Sequence, residues 1–292
     1  MNRFPLKAIF SMSLSLLLSG MAVRAQVFSN DDAWREANFI TKVMQLDEFI
    51  HRFNNDSSSE ICRYYLSHHR DWNKTREQLI RSLFNYSTQR WDSLQIDQFI
   101  RRATDPERPD SLDFLQGQWY AEARCRFLYH AAPVQVNLIL RIQLNPNGSS
   151  QWVIAAVRPG FAIRKTPIRR SPPTPMIVPA SRKQRFIQPA ANDTYFAELE
   201  RDFADKRHLA DLFDRQYLQR HYSDGFYQAL LAGRVRFVAV KKLKYHYLQV
   251  HDWIFTVENF QRSTRNSGWL ISSIREANPE QRSAYLRKLL QE

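Results

Sequence analysis

NPNGSSQWVI fills positions 145–154, and STRNSGWLIS fills positions 263–272. Each sets an Asn/Gly/Ser loop before a tryptophan and a branched apolar run. The residues in front of the first stretch alternate. In WYAEARCRFLYH (119–130), Ala121, Ala123, Cys125, Phe127 and Tyr129 share one side, while Glu122, Arg124 and Arg126 share the other. In VQVNLILRIQL (134–144), Val134, Val136, Leu138, Leu140 and Ile142 make one apolar face. WVIAAV (152–157) returns after the loop. A period of two with one apolar side predicts antiparallel strands with one buried face.

The same order recurs as VRFVAVKKLKYHYL (235–248), VHDWIFTVENF (250–260) and WLISSI (269–274). An ungapped offset carries Trp152 to Trp269, Ile154 to Ile271, Arg158 to Arg275, Leu138 to Phe255 and Leu140 to Val257. Helical patterns precede each set of strands. Phe39, Val43, Leu46, Ile50 and Phe53 recur in steps of four and three, which predicts a helix within 30–54. Thr75-Arg-Glu-Gln78 spells a capping box ahead of Leu79, Ile80, Leu83 and Phe84. Ile96, Phe99 and Ile100 mark a short helix that ends before DPERPD at 105–110, where proline cannot continue the hydrogen bonding. In the second half, Tyr195, Phe196, Leu199 and Phe203 mark one helix. Leu209, Leu212 and Phe213 mark another, and Phe226, Leu230 and Leu231 a third, ended by Gly233. Asn278-Pro-Glu-Gln281 starts a closing amphipathic helix with Tyr285, Leu286, Leu289 and Leu290. The class is therefore α+β, with helices and then a three-stranded ribbon used twice in tandem.

This order of elements is similar to the NTF2-like (cystatin-like) superfamily, in which a curved sheet wraps a helix and leaves a pocket at its wide end. The resemblance implies two tandem NTF2-like units, at 26–158 and 193–292. The combination with an export signal also resembles uncharacterised exported Bacteroides-type proteins.

Residues 1–25 read as a secretory signal. Arg3 and Lys7 precede an apolar run from Ala8 to Leu18, and Val23-Arg24-Ala25 offers small residues for cleavage before Gln26. The expected location is periplasmic or secreted, with no membrane-spanning segment after cleavage. Cleavage would remove three bases and no acid from a chain of net charge +13. The basic remainder suits an anionic envelope component or a protein partner, and nucleic acid is not expected. Homodimerisation through an open sheet is a further expectation.

Residues 159–192 form a Pro-rich basic linker that carries Arg164, Lys165, Arg169, Arg170, Arg182, Lys183 and Arg185 and no acid. As function it is an anion-docking arm, and as structure a solvated spacer. Cys62 and Cys125 either form a disulfide, which an exported compartment permits, or remain two buried thiols.

For chemistry, KYHYLQVHDW (244–253) offers Tyr245, His246, His251 and Asp252 as ligand-binding candidates, since imidazole titrates near neutrality and a carboxylate can orient it. Strand alternation would send His251 and Asp252 to opposite faces, and a turn near Leu248 would instead leave them at a solvated hairpin. Arg124, Arg126 and Arg141, with Lys241, Lys242 and Lys244 in the second ribbon, read as two basic sheet faces. His68-His69 reads as a wet helix face. Trp253, Phe255, Trp152 and Trp269 read as core. HExxH, GxSxG, CxxC and phosphate-cradling Gly-rich patterns are all absent from the sequence, so neither cofactor nor metal is expected and no residue is assigned as catalytic. The leading expectation is a non-catalytic exported binding protein. The alternative is a small-molecule hydrolase or isomerase with its pocket in one cone.

Overall fold

The computed structural model describes residues 42–67, 74–87, 90–145, 148–159, 199–221, 225–262 and 266–290. Val43–Glu292 form one compact unit, and Lys42 is the sole described residue before it. The signal segment and the linker bases Arg164, Lys165, Arg169, Arg170, Arg182, Lys183 and Arg185 lie outside the described residues. So do His68 and His69.

In chain order the elements are β1 (Lys42–Val43), α1 (Leu46–Asn54), α2 (Glu60–Ser67), α3 (Arg76–Ser82), α4 (Ser93–Ala103), β2 (Trp119–Tyr129), β3 (Ala132–Leu144) and β4 (Ser150–Pro159). Then follow α5 (Leu199–Ala204), a 3-10 turn (Leu209–Leu212), α6 (Arg215–His221), α7 (Gly225–Leu231), β5 (Val235–Tyr247), β6 (Trp253–Phe260), β7 (Ser267–Glu276) and α8 (Pro279–Leu290). The protein is thus mixed α+β.

Local chemistry explains several element ends. Thr75 and Gln78 form the expected reciprocal cap, Gln78 N–H to Thr75 Oγ1 at 3.3 Å and Thr75 N–H to Gln78 Oε1 at 3.2 Å. Asn278 and Gln281 repeat it for α8, each backbone N–H reaching the other's side-chain oxygen at 2.9 Å. Gly233 takes the left-handed conformation (φ 70°) that closes α7. The first helix departs from the periodicity. It begins at Leu46, and Val43, expected on its apolar face, is instead a strand residue.

The strands make one seven-stranded sheet in the order β1-β7-β6-β5-β2-β3-β4. The two ribbons are joined along β2 and β5, which pair antiparallel from Trp119↔Tyr247 to Tyr129↔Val235. Between β3/β4 and β6/β7 the ungapped offset holds to the residue. Leu140 faces Ile154 and Val257 faces Ile271, while Ile142 faces Trp152 and Asn259 faces Trp269. Even the irregularity recurs, between Ile139 and Leu140 in one ribbon and between Thr256 and Val257 in the other. The offset fails for the first strand of each ribbon. Ala121 faces Leu140 in the first, yet Val257, the counterpart of Leu140, faces Tyr245 rather than Val238. That slip is an odd number of residues. It sends Tyr245 and Tyr247 inward and Lys242, Lys244 and His246 outward, because side chains alternate along a strand.

Helices of each half reach strands of the other. Phe53 on α1 stacks on Phe255 of β6 at 5.8 Å, and Phe99 on α4 meets Trp253 and Phe255 edge-on at 5.4 Å. Phe84, just after α3, bridges in parallel to Ile271 of β7. In the second half, Phe213 bridges in parallel to Ile154 of β4, and Phe203 of α5 and Phe226 of α7 pack on Phe127 of β2. Backbone bonds match across the pair of bridges: Asn85 N–H to Ile271 O at 3.1 Å, and Asp214 N–H to Ile154 O at 2.9 Å. The first half's helices therefore lie on β6 and β7, whereas those of the second half reach β2 and β4 and also cover their own β5, where Phe203 stacks on Phe237 at 5.4 Å. One buried cluster runs through both, from Phe49 and Phe255 to Phe127 and Phe213.

Exchange also explains the cysteines. Cys125 is buried on the inner side of β2, where helices of the second half cover the neighbouring Phe127, while Cys62 sits on α2 in the first. The two are free thiols, not a disulfide. Burial pushes the Cys125 thiol up to about 12.

Candidate functional site

The outer face of the sheet, opposite this core, carries the polar side of each strand. On β2 and β5, Tyr120 lies opposite His246, Glu122 opposite Lys244, and Arg124 opposite Lys242. Members of the two basic sets read from the sequence, Arg124 with Lys242 and Lys244, therefore meet on one face. They are partly compensated. Lys242 and Lys244 both pair with Glu258, the latter at 3.2 Å. Arg141 Nε donates to Asp214 Oδ2 at 2.7 Å.

α8 crosses this face and is pinned at both ends. Near its start, the Arg282 guanidinium donates to the carbonyls of Val250 (2.9 Å), Trp253 (3.2 Å) and Leu248. Near its end, Arg158 of β4 donates to the Lys288 carbonyl at 2.6 Å, which places a cation at the negative end of the helix dipole. Between these anchors Leu289 packs on Ile139 and Ala156, and Leu286 on the small cluster of Leu248, Ile254 and Ala277.

Under α8 lies a cavity of about 390 Å³ lined by Glu122, His246, Tyr285, Arg158, Arg275 and Lys288, among others. His246 is buried and bonded at both ring nitrogens. Nδ1 is 2.6 Å from the Tyr285 hydroxyl and Nε2 is 3.1 Å from Glu122 Oε2. Asn137 Nδ2 donates to the other Glu122 oxygen at 2.9 Å. The His246 hydrogen bond holds the Glu122 carboxyl below the usual carboxylate range, against burial, with the His246, Arg158 and Lys244 charges helping. An ionised carboxylate only accepts, so Nε2 carries the hydrogen toward Glu122, and Nδ1 shares its hydrogen bond with the Tyr285 hydroxyl. Burial pushes the Tyr285 phenol up to about 12, and the Arg275 guanidinium, 5.2 Å from its ring centre, pulls the other way. The arrangement holds Tyr285 neutral and oriented and engages Glu122, the one acid among the described lining residues, with His246, while Arg158, Arg275 and Lys288 share the same lining.

Of the sequence candidates, His246 belongs to this site. Tyr245 points the other way, buried in the core 5.0 Å from the Trp269 ring and 5.9 Å from that of Trp119. His251 and Asp252 sit in the β5–β6 turn as an exposed pair, 3.3 Å apart and 66% and 44% exposed. They join no cavity described here. Glu122, Tyr285, Arg158, Arg275 and Lys288 were not singled out as binding residues by the sequence. The available signal was parity: Glu122 was already on the polar side of its strand, and Tyr285 on the apolar side of the closing helix.

Among the described residues, no cluster of three His, Cys, Asp or Glu could hold a metal ion. No described helix is long and apolar enough to cross a membrane. No family model matches the chain, no curated protein matches it, and no solved structure matches its fold.

Proposed function

We propose that this chain is an exported binding protein that takes an anionic group of an envelope component or protein partner on the outer face of its sheet, under α8. The observation that carries this reading is the convergence of Arg158, Arg275 and Lys288 on a cavity in which Glu122, the one acid among its described lining residues, is engaged by His246. Basic, partly enclosed surfaces focus potential and concentrate anions. The inner faces, where a cone-type reaction pocket would lie, are packed with rings: Phe49, Phe53, Phe99 and Phe255 on one side and Phe127, Phe203, Phe226 and Phe237 on the other. That packing favours binding over a hydrolase or isomerase working inside a cone.

The scaffold on this reading is a fused pair of NTF2-like units whose helices reach across to each other's strands. The recurring register and irregularity of β3/β4 and β6/β7, and the matched bridges at Phe84 and Phe213, support it.

The test compares salt elution from an anionic resin for wild type, Arg158→Gln/Arg275→Gln and Arg169→Gln/Arg170→Gln. The first variant should elute at clearly lower salt than the second, although each loses two charges. Equal elution of the two would assign retention to general charge and overturn the site.

A further inference from the structure

A second cavity, of about 560 Å³, opens on the edge of β5. Its origin is in the strand pairing. β5 pairs with β2 along its whole length but with β6 only at Lys244–Tyr247. Lys241 and Val238 are extra residues at two irregularities of the β2–β5 ladder: Arg124 and Cys125 face Lys242 and Val240, and Arg126 and Phe127 face Ala239 and Phe237. Extra residues bend and twist a strand, so β5 curls with β2 and parts from β6. The gap is lined by consecutive β5 residues from Phe237 to Leu243, with Glu200 of α5, Asn259, Gln261 and Trp269.

We propose that this gap is a ligand site for a small amphipathic monocarboxylate, separate from the anion site under α8. Two independent features support it. Trp269 is 1% exposed and lines the gap, and its buried indole N–H has no hydrogen-bond partner among the described residues. A buried donor left unmade is costly, and a ligand acceptor would satisfy it. Lys241, exposed at the strand irregularity, supplies the cation on the same wall. The remaining β5 wall offers Val238, Val240 and Leu243, all half-buried, for an apolar body. The volume lies within the range of small-molecule pockets. Glu200 disfavours a second negative charge, which selects a monoacid. Lysines and bulges also protect strand edges from aggregation, but edge protection gives no reason for the Trp269 donor to be unmet.

The probes are octanoate, octanol and inorganic phosphate, added to the full chain and followed through tryptophan indole and backbone amide resonances. Octanoate should move one indole signal, absent in Trp269→Phe, together with amides of 238–243. Octanol should bind about tenfold more weakly and phosphate should leave these signals in place. Lys241→Gln and Trp269→Phe should each weaken octanoate by about three- to tenfold, and Arg275→Gln should not. Lys241→Gln keeps the test alive where Trp269→Phe fails to fold. Equal binding of octanol and octanoate, octanoate shifts confined to His246 and α8, or no shift at millimolar octanoate would each overturn the proposal. None of these results bears on resin retention at Arg158 and Arg275.

Discussion

The β2–β3 and β5–β6 hairpins begin from a similar alternating pattern and end differently. β2 and β3 pair from Tyr129↔Ala132 to Ala121↔Leu140, through a two-residue turn at His130 and Ala131. β5 and β6 pair over four residues through the longer turn 248–252. The closed hairpin gives a continuous sheet. The slipped one turns His246 outward to meet Glu122 and Tyr285, and leaves the Trp269 gap. Register thus decides which residues become core and which become site. A hydrophobic alternation constrains parity, and an odd slip changes it wholesale.

The largest expected effects test whether the halves share one core. Phe255→Ala and Phe127→Ala each remove a fully buried ring, from opposite halves of one cluster, and should each destabilise by about 3–5 kcal/mol. Urea unfolding followed by tryptophan fluorescence and hydrogen exchange should show one shifted transition in both. A variant that melts its own half and spares the other would break the comparison.

Next is a position where the ribbons differ. Gly268 stands where the offset puts Gln151. It has φ 94°, and a Cβ there would lie 1.9 Å from the Val43 carbonyl oxygen. Gly268→Ala should cost more than about 2 kcal/mol and Gln151→Ala less than about 1, both read from urea midpoints. Similar costs would remove the role given to β1 in crowding β7.

Glu122 makes the site pH-sensitive. Its folded carboxyl is held low, so its contribution to stability is present above the unfolded value of about 4.3 and is lost as pH falls through the folded value. Glu122→Gln should cost about 1 kcal/mol at pH 7 and almost nothing near pH 3. A pH-independent cost would mean that charge is not involved. The smallest effect is at the tight turn. Ala131 holds φ 67°, and Ala131→Gly should stabilise by about 0.5 kcal/mol after glycine's own entropy is offset. The same change at the long β5–β6 turn has no such strained alanine to relieve.

Much of the architecture was legible. The strand positions, the buried Trp152 and Trp269, both capping boxes and the helix stop at Gly233 follow from local rules. The offset gave β3/β4 and β6/β7 down to a shared irregularity. It misplaced β5 because no local signal marks a slip: VRFVAVKKLKYHYL supports either face until its partner is known. The union of β2 with β5, and the exchange that seats Phe84 on β7 and Phe213 on β4, are long-range pairings that periodicity does not encode. For the same reason His246 could be named while Glu122 and Tyr285, distant in sequence, could not be joined to it.

The exchange of helices is most directly tested with a spin label at Ser82→Cys. Ser82 is exposed at the end of α3, and its carbonyl accepts from Asn266 Nδ2 at 2.9 Å. Exchange predicts strong broadening of backbone amides in Ser267–Ile274 with those of Gln151–Val157 left sharp. Broadening of Gln151–Val157 in place of Ser267–Ile274 would contradict it.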